Sequence, residues 1–356
     1  MEILTYMTEY GYEQLIACYD RVSGLKALIA LHNTTLGPAL GGCRMYPYQQ
    51  EDDAIVDVLR LAKGMTYKNA AAGLNLGGGK SVIIGDPRRD KTEALLRAFG
   101  RFVQTLGGRY YTAEDSGTSV EDMDVMRSET DYVMGLSTSG SSGDPSPVTA
   151  FGVWRGMKAA AGECLGDESL RGRTIALQGA GHVGFSLAQH LAEEGARLVV
   201  ADVDGTKAER VAREFGAETV DPAVIHAVPC DIFSPNALGA VLNGRTIPEL
   251  KCRIVAGGAN NQLATEADGD ELERRGIMYV PDYIINAGGV INVADEMQGQ
   301  YNRDRAMKKA AAIHDNVRRV LAIARQEGIP TYLAADRLAE DRIARIGQLH
   351  QMYMPR

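Results

Sequence analysis

Apolar residues recur at helical spacing over Glu51–Ala71, where Ile55, Val58, Leu59, Ala62 and Met65 share a face behind an acidic first turn. That pattern predicts an amphipathic helix. Thr92 is placed to cap a second helix carrying Leu95, Leu96, Phe99, Phe102, Val103 and Leu106. Short apolar runs at Leu25–Leu31, Ser81–Gly85 and Arg109–Thr112 read as strands, and Ser119 with Asp122 offers a capping-box start to a further helix. Glycine clusters at 37–42 and 73–79 read as tight turns between these elements.

The polar segment Ser137–Pro147, with two prolines, is the expected linker. A helix follows at about 148–164. Then come a strand (Arg173–Gln178), a glycine turn (Gly179–Gly184), a helix (Phe185–Glu194) and a strand (Leu198–Asp202). Further short apolar strands are expected at Asp231–Phe233, Ile254–Ala256 and Ile277–Val280. This rhythm predicts an α/β fold with a doubly wound parallel sheet in the second half. The tail reads as two helices, Arg303–Glu327 and Asp336–Met352, with Gly328 and Pro330 ending the first.

Composition narrows the function. A chain of 356 residues suggests about two domains at ~150 residues each. Its 46 acidic residues outnumber 38 basic ones, leaving no surplus to neutralise phosphates, so nucleic acid is not the expected partner. The five cysteines are scattered, with no C-x-x-C pair, and the histidines form no metal-ligand spacing. Reduced thiols, no metal and a cytoplasmic location are therefore expected. The N-terminus lacks a basic signal-peptide region, and no uncharged apolar run approaches the ~20 residues that span a bilayer.

Two sites carry candidate chemistry. Gly179-Ala180-Gly181-His182-Val183-Gly184 is a complete G-x-G-x-x-G between a strand and a helix, and Asp202 lies 18 residues beyond the last glycine. Gly179 permits the turn, Gly181 lets the backbone approach a pyrophosphate, and Gly184 lets helix and strand close up. The helix N-terminus favours the phosphates. Asp202 suits a ribose hydroxyl and repels a 2′-phosphate, so NAD is expected over NADP. In the first half, Gly77-Gly-Gly-Lys80 fails the P-loop spacing, because position 74 is Leu74. It reads as a lysine presented by a glycine turn at the entrance to a strand, with Lys68 near enough in sequence to tune it as a base.

Six segments then resemble one family. They are Thr35–Arg44, Leu61–Lys80, Ala113–Thr118, Pro145–Ala150, Gly258–Gln262 and Pro281–Val293. In order and over almost the whole chain, they are similar to the amino-acid dehydrogenases of glutamate, leucine, valine and phenylalanine, the leucine enzymes above all. The resemblance implies a substrate-binding and oligomerisation domain over 1–147 with a C-terminal helix at about 332–356. A Rossmann-type NAD-binding domain over 148–331 would lie across a cleft from it. It implies a homo-oligomer that deaminates a branched-chain L-amino acid to the 2-oxo acid and ammonia.

Residue by residue, Lys80 resembles the catalytic lysine and Asp115 the acid that exchanges protons with the substrate amine. Lys68 would pair with the α-carboxylate. Gly41, Gly42, Leu40, Met65, Ala113, Asn261, Val290 and Val293 would surround the rest of the substrate. Thr149, Asn260 and Asn286 would join the fingerprint at the cofactor. The aliphatic Leu40 and Val293 stand where glutamate enzymes carry lysine and serine. Cys43, Gly79, Ser116, Asn236, Gly258 and His182 depart from the leucine enzymes. The Gly-Gly-Gly-Lys form is shared with phenylalanine and tryptophan enzymes, which keeps an aromatic substrate as the alternative. A regulatory protein on a retired enzyme fold would be expected to have lost Lys80 or Asp115.

Overall fold

The computed structural model describes residues 2–137, 140–237, 239–349 and 352–355. Thr138 and Ser139 of the expected linker, and His350 and Gln351 of the second expected tail helix, lie outside these. The chain divides into two units: Met1–Asp144 with Val293–Asn302 and Ala339–Arg356, and Pro145–Asn292 with Arg303–Leu338.

The first unit is built on five strands: β1 (Gln14–Asp20), β2 (Leu25–Asn33), β3 (Ala39–Tyr46), β4 (Gly77–Ile84) and β5 (Tyr110–Glu114). Their order is β1-β2-β4-β3-β5. β2 is antiparallel to β1 and β4, whereas β3 runs parallel to β4 and β5. Alternate residues of β2 serve different cores. Ile29 and Leu31 join Leu95, Phe99, Val103 and Tyr110, while Leu28 and Ala30 join Val58, Leu59 and Ala62. Both faces are covered by apolar helix surfaces, so β2 is almost continuously hydrophobic. The Glu51–Ala71 helix forms over its expected span, and Thr92 accepts the Leu95 N–H as the cap of Glu93–Thr105.

Only the first glycine of each glycine cluster, Gly37 and Gly73, lies in the expected turn; the rest are strand or lead into it. β3 runs through Gly41 and Gly42, and β4 begins at Gly77, so Lys80 sits inside a strand rather than beyond a turn. The reason is close packing. A Cβ at Gly78 would stand 2.1 Å from the Thr66 amide nitrogen, and one at Gly77 would stand 2.3 Å from the Asn33 carbonyl oxygen.

The second unit holds six parallel strands: β6 (Thr174–Gln178), β7 (Arg197–Ala201), β8 (Glu218–Thr219), β9 (Ile232–Pro235), β10 (Ile254–Val255) and β11 (Met278–Tyr279). The order β11-β10-β9-β6-β7-β8 starts at the centre, winds outward to β8 and resumes on the other side at β9. This is the expected doubly wound sheet, with its switch point between β6 and β9. The fingerprint helix starts at His182, three residues earlier than expected, because Gly181 serves directly as its N-cap. The first tail helix is two, Arg303–Ala311 and Ile313–Glu327. The Ala312 N–H bonds Lys309 O, one residue short of the helical partner. The last helix spans Thr331–Gly347 and begins directly after Pro330, a residue suited to helix entry. Its second half packs Ala339 and Ile343 with Leu36, Tyr67 and Ala70.

Candidate active site

In the first unit the middle of β3 and β4 and the C-terminal end of β5 bring expected residues together. Cys43 of β3 is level with Ser81 of β4 and Glu114 of β5, which puts Lys80 and Asp115 on opposite sides of β3. They meet across it. Lys80 is 5% exposed, and its Nζ lies 3.1 Å from Asp115 Oδ2. Gly42 makes that approach possible, since a Cβ there would stand 2.8 Å from the Asp115 Cβ. The ion-pair partner of Lys80 is thus a carboxylate.

Asp115 is fixed by the turn that follows β5. Its N–H donates to Thr118 Oγ1 at 3.0 Å, and the Thr118 hydroxyl donates to Cys43 O at 2.8 Å. Gly117 carries the turn at φ +85°, with its Cα packed so that a Cβ would meet Met45 O at 2.1 Å. Burial disfavours the Asp115 carboxylate, but Lys80 and the Arg44 guanidinium outweigh it and hold the carboxyl below the usual value. Burial pushes the Cys43 thiol up to about 12, so it stays protonated and inert.

Around this pair, Leu40 (1% exposed) and Ala113 line β3 and β5. A Cβ at Gly41 would stand 3.2 Å from Met65 Cγ and 1.8 Å from Gly79 O, so only glycine fits there. Lys68 occupies the last turn of the Glu51–Ala71 helix, half-buried. Val293 reaches this unit on a separate segment, and Asn261 and Val290 belong to the second unit. Four residues here escaped sequence reasoning: Arg44, Tyr48, Asp57 and Asn69. Asn69 donates to Gly77 O at 2.6 Å and has a buried Oδ1 with no partner among the described residues. Only Arg44 and Asn69 had a signal, since both stand within the segments that carry the resemblance.

The second unit holds the fingerprint. Gly179 takes φ +98°, and a Cβ at Gly184 would stand 2.0 Å from Gly179 O. Gly181 differs, because nothing lies within 4 Å of where its Cβ would be. No packing among the described residues requires glycine there, whereas an approaching pyrophosphate would. Asp202 ties the loop together, accepting the Ala180 N–H at 2.7 Å and the Asp204 N–H at 2.9 Å. Beside it opens a pocket of about 340 Å³ whose lining includes Val203, Pro222, His226, Val241 and Arg245. Arg245 is a cation that sequence reasoning did not place there.

Beyond β9, Asn236 Oδ1 accepts the Gly258 N–H at 2.8 Å, and Gly258 lies against Val183 of the fingerprint. Asn286 donates to Asn260 Oδ1 at 2.8 Å, and its own buried Oδ1 has no partner among the described residues. Thr149 lies beside Gly289, whose Cβ would stand 2.9 Å from Thr149 Oγ1. An orphaned amide oxygen near small residues fits a ligand that donates an amide N–H, and the residues present fit a nicotinamide dinucleotide. Asn261 is one of two non-glycine residues at positive φ among the described residues, and its carbonyl is held by the Ala240 N–H at 2.6 Å. Among the described residues no cluster of His, Cys, Asp and Glu could hold a metal, and no helix is long and apolar enough to cross a membrane.

Two family models match the chain: the Glu/Leu/Phe/Val dehydrogenase dimerisation domain over residues 14–132, and Glutamate/Leucine/Phenylalanine/Valine dehydrogenase over 201–350. The leucine dehydrogenase of Thermoactinomyces intermedius is 62% identical, covering 96% of this chain and 94% of its own. The valine dehydrogenase of Streptomyces albus is 51% identical, with 97% and 95% covered. The crystal structure of L-tryptophan dehydrogenase from Nostoc punctiforme superposes with a TM-score of 0.87 at 45% identity, covering 97% of this chain and 99% of that one.

Proposed function

The chain belongs to the Glu/Leu/Phe/Val dehydrogenase family, and from that premise we propose that it catalyses the reversible NAD⁺-dependent oxidative deamination of branched-chain L-amino acids, leucine first. The observation that carries this reading is the buried Lys80–Asp115 pair, a cation and a carboxylate 3.1 Å apart that meet across β3.

The first unit supplies the groups that handle the substrate. Lys68 meets the α-carboxylate, and Asp115 accepts a proton from the α-ammonium group. In its neutral amine form Lys80 guides a water molecule onto the iminium carbon and takes its proton. Asp115 then returns its proton to the carbinolamine nitrogen, ammonia leaves, and the hydroxyl proton passes to solvent to give the 2-oxo acid. The second unit binds the dinucleotide, with phosphates at Gly179–Gly184, the adenosine ribose at Asp202, and the carboxamide at Asn286. When bound, the nicotinamide supplies the hydride acceptor.

Leu40, Ala113 and Val293 set the side-chain preference. A γ-carboxylate buried against such aliphatic groups without a partner costs several kcal/mol. Each buried CH₂ gains about 0.8 kcal/mol, which favours leucine, isoleucine and valine over alanine.

NADH formation at alkaline pH across these four amino acids, glutamate, phenylalanine and tryptophan tests the reading. Branched aliphatic substrates should lead, and glutamate should give no turnover. Faster turnover of phenylalanine or tryptophan would replace the assignment with an aromatic one. No turnover of any branched substrate would end it.

A further inference from the structure

Arg44 takes no part in the mechanism above, yet it is bound more tightly to Asp115 than a bystander needs to be. It stands two residues beyond Gly42 on β3, level with Val82 of β4. Its Nε donates to Asp115 Oδ2 at 3.0 Å, the oxygen that Lys80 also holds. Its Nη1 donates to Asp57 Oδ2 at 2.9 Å, and the Tyr48 hydroxyl donates to that same oxygen at 2.5 Å.

The four charged side chains are well sheltered, with 22% of Arg44, 15% of Asp57, 21% of Asp115 and 7% of Lys80 exposed. Among these sheltered groups two cations balance two carboxylates, and the exposed Arg60 adds a contact to Asp57 Oδ1 at 3.4 Å, so no buried charge is stranded. A guanidinium is planar, and anchoring two of its nitrogens on separate carboxylates fixes its orientation. Asp57 is itself set by the long Glu51–Ala71 helix, so the orientation is inherited from a rigid element.

Resting on the reading of Asp115 given above, we infer that Arg44 is a positioning residue for the reaction. Braced by Asp57 and Tyr48, it holds Asp115 by Oδ2 and turns Oδ1 toward the substrate's ammonium group. Both cations occupy one carboxylate oxygen, and among the described residues no hydrogen bond or ion pair is seen on the other. The groups that face Asp115 are Lys80 from β4, Arg44 and Cys43 from β3, and Tyr110 from β5, with Asp57 and Tyr48 behind Arg44. Removing Arg44 takes away one of the two cations that keep the carboxyl ionised.

The test measures kcat, KM and the pH profile of leucine deamination for the full-length Arg44→Gln, Arg44→Lys, Asp57→Asn and Asp115→Asn variants, each checked for a cooperative thermal transition. Arg44→Gln should lose roughly 100-fold in kcat, the scale of a misplaced catalytic group, with the KM for NAD⁺ unchanged. Its acid limb of log(kcat/KM) should move to higher pH. Arg44→Lys should recover part of the loss, since an ammonium group reaches only one of the two carboxylates. Asp57→Asn, which keeps Asp115 and both of its cations but takes away the brace on Arg44, should lower kcat by less, and because it removes a like charge it should move the limb slightly to lower pH. That variant also carries the test if Arg44→Gln does not fold.

A purely structural role would lower stability and leave the acid limb in place. Wild-type kcat and an unmoved limb in Arg44→Gln and Asp57→Asn, beside an inactive Asp115→Asn, would overturn the inference alone. Wild-type turnover by Asp115→Asn would instead remove the reading beneath it.

Discussion

Asp202 does two things at once. Its carboxylate oxygens accept backbone N–H groups from Ala180 and Asp204, and its charge faces the pocket beside the fingerprint. A 2′-phosphate entering there would meet that charge, while Arg245 lines the same pocket with the opposite sign. Asp202→Ser should therefore lower kcat/KM with NAD⁺ and raise it with NADP⁺, shifting their ratio by at least tenfold, about 1.4 kcal/mol. Steady-state kinetics with both cofactors measures this. An unmoved ratio would mean that the ribose lies elsewhere. Asp115 shows the same economy on the substrate side. Two cations overcome the cost of its burial and keep it ionised to receive a proton.

At the scale of elements, β4 uses glycine for contact rather than for turning. Gly77, Gly78 and Gly79 lie within β4, and Thr66 of the long helix packs directly on Gly78. Gly78→Ala places a methyl group against backbone that cannot yield, so it should cost about 1–3 kcal/mol or more and displace Lys80. Gly64→Ala is the matched control. It sits on the exposed side of the same helix with nothing within 4 Å, and it should gain up to about 1 kcal/mol. Urea denaturation of both variants checks the pair, and equal shifts would contradict the packing argument. The same glycines explain what the sequence hid. Local signals sufficed for the Glu51–Ala71 helix, the Thr92 cap and the strand-turn-helix of the fingerprint, because each lies in neighbouring residues. β3 was invisible, since Gly41 and Gly42 imitate a turn and their reason lies 38 and 72 residues away, at Gly79 O and Glu114 O. Asp57 was illegible for a related reason. Its partnership with Arg44 depends on how a helix face meets a sheet, which no spacing records. Lys80 and Asp115 entered together only through family resemblance.

The whole molecule should carry a pH dependence of stability set by a group outside the chemistry. His32 is 7% exposed between the Thr66 hydroxyl and the Tyr10 carbonyl. Burial, with Lys63 adding to it, lowers its pKa from 6.5 to about 4. Between those values the unfolded chain binds a proton that the folded chain refuses. Stability is thus full above pH 6.5 and falls by up to about 3 kcal/mol as pH drops toward 4. Urea midpoints at pH 7 and pH 5 should differ in the wild type and differ less in His32→Asn; identical slopes would contradict the assignment. Activity is a property of the whole chain in another sense, since substrate and dinucleotide are assigned to different units. The most direct test of the account is therefore to separate the two functions in one protein. Lys80→Ala should bind NADH as the wild type does, by fluorescence titration, while leucine-dependent NADH formation falls by roughly 10²–10⁴-fold. A folded Lys80→Ala protein that deaminates leucine at the wild-type rate would contradict it.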